Sequence, residues 1–419
     1  MAPWTMVLRV RAKEQDFAST ARELGVRTLL TVRLTTREDT YRIHAEWFDP
    51  IEMTHLWGAH YSRDPHDLFR LEGEIAVDVA QRLRPDLTSG VMQEMQKQPT
   101  GSGRAYKSYL QGKHLWNKRT ADSMFKAIQH YRRALDEDAS FALALTGMAA
   151  SYVSLGTFLV MAPSDSIRHA KAAAQQALAI DPGLGEAHGL LGTVHALYDW
   201  DWDLADREFA ESIALAPKST LIRQWSGFSL CARGRFTDGR QLLQSAIDLD
   251  PLAPMHTAQL AAAFYLERQY KTAMELCKEV LELDPHFWAA ALFLGQCHDA
   301  CERADEAIRW LRTAGELSAD NPMAVASLGH ALARSGQVGA AAALISELER
   351  KATLRYVAPY AFALISAGLG RVEAAIDYLD EACRERSPAL ALWLRGEPRL
   401  DRLRSHRRFR EIAERVGVA

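Results

Sequence analysis

The sequence predicts a mainly α-helical solenoid of about eight helix pairs, preceded by a small α/β module. Three observations predict it. Helix-breaking prolines recur at Pro182, Pro217, Pro251 and Pro285, steps of 35, 34 and 34 residues, and a fixed period of this length means stacked repeats. Small residues recur at two registers between the stops, Gly192, Gly227, Ala261, Gly295 and Gly329 in one run, Ala205, Gly239, Ala273, Ala307 and Ala341 in the next. Before residue 90 the pattern changes to β-branched and aromatic runs.

Each stop has a mechanism. An apolar run reaches Asp181-Pro182, Asp250-Pro251 or Asp284-Pro285; the Asp offers an acceptor to free backbone donors, and the proline pushes its predecessor out of the α region. A glycine within a helix costs about 1 kcal/mol relative to alanine, so its recurrence at one register points to close helix contact. Phe209, Leu243, Cys277 and Leu311 each follow the second small position by four residues, on the same helix face. One unit cannot bury that face alone, and stacking makes the core.

The 34-residue spacing of small, small, large and proline positions resembles the tetratricopeptide repeat, which implies a right-handed α-solenoid. Units fall at about 105–139, 140–183, 184–218, 219–253, 254–287, 288–321, 322–355 and 356–387, within a solenoid of 105–395. The second carries an insertion around Ser154 to Ser166, and Ala319 stands where the next proline would fall. Tyr198-Asp-Trp-Asp-Trp-Asp203, Arg355-Tyr-Val-Ala-Pro-Tyr360 and the ending Trp393-Leu-Arg395, Pro398-Arg-Leu400, Arg408-Phe409 resemble a bacterial subgroup. In that subgroup the repeats follow a winged-helix domain, a serine/threonine kinase or a nucleotide cyclase, none of which has a motif here. The subgroup also closes in a short capping helix, expected at 396–419.

Residues 1–90 read as a partial α/β domain, with strands at Thr28–Leu34 and Tyr41–Phe48 and helices at Ala18–Gly25 and Asp67–Leu83. Ala21-Arg-Glu-Leu-Gly-Val26, His55-Leu-Trp57 and Tyr61-Ser-Arg-Asp64 resemble the latter half of a TolB-like domain. Its first half has no counterpart before Met1, so either the module is a truncated remnant or the natural chain starts upstream and this one is a fragment; truncation or a misplaced start is the expectation. Residues 91–104, rich in Gln, Gly, Ser and Pro, read as a linker.

A net charge of −3 gives no electrostatic case for nucleic acid. No run of eighteen apolar residues occurs, so no membrane span is expected, and five cysteines in no regular framework suit a reducing compartment. The cytoplasm is the default location, with an extracytoplasmic one open if a membrane-spanning part precedes this sequence. No phosphate loop, nucleophile elbow or dinucleotide fingerprint is present, and no cofactor or metal is expected. Cys297 and Cys301 share a helix face, and Asp199, Asp201 and Asp203 alternate with Trp200 and Trp202; core packing and a short turn are the expected roles. His55, His60 and His66 are expected at a strand end, a loop and a helix start, on the surface. The arginines from Arg395 to Arg410 are expected on a capping helix whose apolar side is Leu400, Leu403, Phe409 and Ile412.

The resemblance implies that first helices line a concave, peptide-binding groove. Carried over by register, its candidate residues are Leu221, Gln224, Phe228, Met255, Tyr265, Gln296, Asp299, His330 and Arg334. The carboxylate clamp of chaperone-binding members is absent, since Gln224, Ala258 and Leu292 stand at its positions. The expected function is a non-enzymatic scaffold that holds a protein or peptide partner of unknown identity for a bacterial signalling system. The alternative is the regulatory fragment of a transcriptional regulator, kinase or adenylate cyclase whose effector is missing or acts in trans. A hydrolase built on the histidines is the weakest reading, and homo-oligomerisation stays open.

Overall fold

The structure is a computed structural model and describes residues 17–37, 40–63, 68–83, 88, 92, 98–251 and 253–419. Residues 1–16, His66 and residues 93–97 of the expected linker lie outside the described residues. Close packing divides the chain into two units, 1–114 with 129–144 and 115–128 with 145–419.

In the first unit, α1 (Phe17–Leu24) precedes β1 (Leu29–Arg37), β2 (Thr40–Asp49) and β3 (Thr54–Arg63), followed by α2 (Leu68–Leu83). The strands form an antiparallel sheet in the order β1-β2-β3, with Val32 opposite Ala45 and Ala45 opposite Ala59. Period-2 alternation puts Ala45, Trp47, Trp57 and Ala59 on one face, where they pack against Ile75 and Val79 of α2. The Tyr61 hydroxyl donates to Asp78 Oδ2 at 2.7 Å across this layer. His55 and His60 both lie within β3, which corrects the expected loop at His60. The ring of His60 stacks on His44 of the neighbouring strand, centroids 4.1 Å apart, because the two are directly paired.

Helices α3 (Gly103–Trp116) and α4 (Ala121–Glu137) begin the paired array. Tyr109 meets Tyr131 and Phe141 at 5.9 and 5.1 Å between ring centroids. A Cβ on Gly112 would lie 2.7 Å from the Tyr131 ring, so glycine there sets the approach of α3 to α4.

The pairs continue as α5 (Ala142–Thr157) and α6 (Pro163–Ile180), α7 (Gly185–Val194) and α8 (Trp202–Leu215), α9 (Thr220–Ala232) and α10 (Phe236–Leu249), α11 (Pro254–Leu266) and α12 (Tyr270–Leu283). After these come α13 (Trp288–Ala300) and α14 (Ala304–Leu317), α15 (Pro322–Arg334) and α16 (Val338–Ala352), α17 (Pro359–Gly368) and α18 (Val372–Arg384). The described residues thus hold the eight helix pairs of the fold class expected from the period.

Small positions sit at the crossing points, as the register argument requires. A Cβ on Gly227 would stand 2.8 Å from the Gly239 carbonyl oxygen, and one on Gly295 would stand 2.7 Å from Leu311 Cγ. Phe209, Leu243, Cys277 and Leu311 are buried. The stops work as read: Asp181 and Asp284 accept from the amides of Gly183 and His286 at 3.1 and 3.0 Å. Where Ala319 stands in place of the periodic proline, Ala319 and Asp320 both turn left-handed, at φ 53° and 56°, and the chain reverses through that strained pair instead.

Beyond α18 the chain forms α19 (Pro388–Trp393), a 3-10 turn (Pro398–Leu403) and α20 (Arg407–Val416). Helix α20 packs on α18 and the 3-10 turn on α17, with Leu400, Leu403, Phe409 and Ile412 buried. Among the described residues no helix is long and apolar enough to cross a membrane.

Candidate functional site

First helices of successive pairs touch one another in a row, from α7 through α9, α11, α13 and α15 to α17. These helices carry the nine residues expected to bind a partner on their inner face. It is occupied by the chain's own C-terminal segment, residues 388–403. Helix α19 lies on a single π turn (His195–Asp199) that extends α7, and on α9. The Trp393 ring stands between Phe228 of α9 and Phe293 of α13, at 5.4 and 6.0 Å between centroids. Gly396 passes over α11 so closely that a Cβ would lie 2.8 Å from Leu266.

Polar contacts then fix the register. The Tyr265 hydroxyl of α11 donates to Glu397 Oε1 at 2.6 Å, and Arg399 Nη1 donates to Ser327 Oγ of α15 at 2.6 Å. Glu397 and Arg399 pair with each other twice, Nε to Oε1 at 2.8 Å and Nη2 to Oε2 at 2.7 Å, with side chains 0% and 3% exposed. Burial alone would raise the Glu397 carboxyl, but Arg399 and the Tyr265 hydroxyl hold it below the usual glutamate range. Burial, then the neighbouring Glu397 charge, pushes the Tyr265 phenol well up. At the exposed edge Arg268 grips Asp401 with two bonds of 2.8 and 2.9 Å.

The structure therefore corrects the expectation of an open groove. Gln224, Phe228, Met255, Tyr265, Gln296, Asp299 and His330 are buried, Leu221 is half-buried, and only Arg334 is exposed. Gln296 Nε2 donates to Ser327 Oγ at 3.0 Å, beneath Arg399. Asp299 and His330 pair at 2.6 Å, and Gln224 faces His256 at 3.1 Å. His256 is driven down to about 4 by burial, with Arg119 adding to it. From the N-terminal side, Trp288 of α13 donates to the Arg119 carbonyl at 3.2 Å and meets Phe158 edge-on, centroids 5.3 Å apart.

Sequence reasoning missed the occupant, Trp393, Gly396, Glu397 and Arg399. A signal was present: Ala389-Leu-Ala-Leu-Trp-Leu394 is an apolar run standing outside the repeat register, with no second helix to cover it.

Other singled-out residues resolve into structure. Asp201 caps α8, accepting from Leu204 N at 3.0 Å, and Asp199 takes Lys171 and His195 at 2.7 Å each. Arg386 donates to the carbonyls of Tyr198 and Asp199 and lies over the Trp200 ring. Trp202 Nε1 donates to the Val416 carbonyl at 2.8 Å. The aromatic-acidic turn is thus a clamp between the third pair and the end of the chain. Cys297 is buried and Cys301 partly exposed, both free thiols. Among the described residues no three His, Cys, Asp or Glu side chains are grouped to hold a metal. A cavity of about 510 Å³ lies between α18 and α20, lined by Asp377, Asp380, Cys383, Arg408 and Arg415 among others.

The chain carries tetratricopeptide repeats: profiles described by that name match residues 229–286 and 264–329. It is 26% identical over 186 residues to a protein of Rhizobium meliloti (strain 1021) that carries an adenylate cyclase name. That match covers 42% of this chain and 30% of the relative, so the chain spans less than a third of it. Among solved structures, an IFIT1 monomeric mutant with m7Gppp-AAAA is similar at a TM-score of 0.50 and 14% identity, covering 82% of this chain and 75% of that one. PilF of Pseudomonas aeruginosa is similar at a TM-score of 0.36 and 20% identity, covering 48% of this chain and 90% of that one. Tetratricopeptide arrays are protein-interaction scaffolds as a class, and their fold is ordinarily non-catalytic.

Proposed function

We propose that this chain is a non-enzymatic interaction scaffold, the partner-binding part of a bacterial signalling system, which holds a protein or peptide segment on the inner face of its first helices. The observation that carries this reading is the bound segment itself. Five successive first helices, α9 to α17, present an aromatic slot, a hydroxyl for a carboxylate and a hydroxyl for a guanidinium to one stretch of chain. Peptide recognition by repeat arrays needs such side-chain pockets. The signalling role rests on the repeats' resemblance and on the relative with an adenylate cyclase name.

The same relative supports the second reading, a regulatory fragment acting on an effector carried elsewhere. On either reading this chain supplies a surface, and the chemistry belongs to what occupies or adjoins it.

The test uses the two expected groove residues that are not fully buried. Capture from a bacterial lysate with the wild-type chain should retain a partner that a Leu221→Ala, Arg334→Ala chain of unchanged helical content retains at least fivefold less. Equal retention by both chains would remove this face as the site. Conversion of ATP to cyclic AMP by the purified chain would sink the non-enzymatic reading.

A further inference from the structure

We propose that residues 388–403 are a resident competitor in the groove, and that the external partner is a peptide presenting the same three groups in the same order: an aromatic ring, a carboxylate four residues on and a guanidinium two beyond it. This rests on the groove reading above and adds the partner's chemistry and its control.

The spacing comes from Trp393, Glu397 and Arg399, and each group meets a different first helix. The ring fills the Phe228 and Phe293 slot, the carboxylate takes the Tyr265 hydroxyl, and the guanidinium reaches Ser327. The segment resembles a bound ligand more than a repeat. It has a six-residue helix and a six-residue 3-10 turn, and neither is half of a helix pair.

Two groove atoms show that the resident segment is an incomplete ligand. The Tyr360 hydroxyl, on a fully buried side chain beside Glu397 and Arg399, has no hydrogen-bond partner. Gln296 Oε1, on a side chain 2% exposed, has none either. A buried polar group left unmatched is costly. An external segment that adds an acceptor for Tyr360 and a donor for Gln296 gains what the resident one lacks. It needs that gain, because tethering between α18 and α20 gives the resident segment a high effective concentration.

The test uses the full chain and a fluorescein-labelled synthetic peptide of residues 388–403, read by fluorescence anisotropy. In a Trp393→Ala chain the resident segment loses its ring, and the peptide should bind at least tenfold tighter than to wild type. An Asp401→Asn chain, which loosens the exposed contacts to Arg268 and Arg404 and leaves the buried ones, should show a gain of about threefold and covers the case in which Trp393→Ala does not fold. A peptide carrying Glu397→Gln should bind at least tenfold more weakly. Peptide bound by none of the three chains, with the variants at wild-type helical content, would overturn the proposal and make the segment permanent core. A concentration-dependent dimer formed in place of peptide binding would assign the groove to a second copy and also overturn it. Either failure leaves the scaffold reading to be decided separately by the lysate capture.

Discussion

Replacing Glu397 by glutamine keeps an acceptor for Tyr265 but leaves the Arg399 charge buried without its counter-ion. The pair is bidentate at 2.7 and 2.8 Å, and both side chains are almost fully enclosed. At an effective dielectric of about 20 and a charge separation of about 4 Å, the attraction is roughly 4 kcal/mol. Breaking a buried pair from one side costs about 3–5 kcal/mol. Glu397→Gln should therefore lower the urea stability of the array by about that amount. It should also raise amide exchange of residues 394–403 by roughly 10²–10³-fold. The two measurements are needed together, because repeat arrays do not always unfold in one step. Glu397→Leu combined with Arg399→Met removes both charges at similar volume and should recover at least half of the loss, the remainder being the stranded Tyr265 hydroxyl, since Ser327 keeps Gln296 and the Met323 carbonyl. A loss under about 1 kcal/mol for Glu397→Gln, or a double variant as unstable as the two single losses summed, would refute the reasoning.

Three further outcomes are expected. His256 is neutral in the fold, with its value lowered from 6.5 to about 4, so the unfolded chain binds the extra proton. Its contribution is present above pH 6.5 and falls by up to about 3 kcal/mol as the pH drops towards 4; urea midpoints at pH 7 and 4.5 should show the fall in wild type and a shallower one in His256→Gln. Gly295→Ala should destabilise by about 1–3 kcal/mol because its Cβ meets Leu311 at 2.7 Å, whereas Gly339→Ala on α16 meets nothing and should gain a few tenths of a kcal/mol. Thermal melts of the two variants check the opposite signs. Trp202→Phe removes the bond to the Val416 carbonyl and should cost about 1 kcal/mol, read as faster amide exchange at the C-terminal end of α20.

Much of the array was legible because each unit sees mainly its neighbours. Gly227 and Gly239 stand at the two small registers because each backbone lies against the other, and that requirement repeats with the period. The first strands were legible from β-branched and aromatic runs. His60 was misplaced because the TolB-like resemblance put a loop there, while its real constraint is pairing with His44 on another strand. The nine groove positions were assigned by register alone. Register says which way a side chain faces, and not what stands in front of it.

The sequence by itself determined the helix pairs, their stops, the small and large positions that mate them and the α/β run that precedes them, because all of these are written in spacings shorter than one repeat. The tertiary structure alone decided the state of the inner face. Tyr265 and Glu397 are 132 residues apart, and Trp288 and Arg119 are 169 apart. A contact between residues so distant leaves no period in the chain; it follows from the path that the stacked pairs take, which brings the C-terminal segment back across five of the helices that precede it.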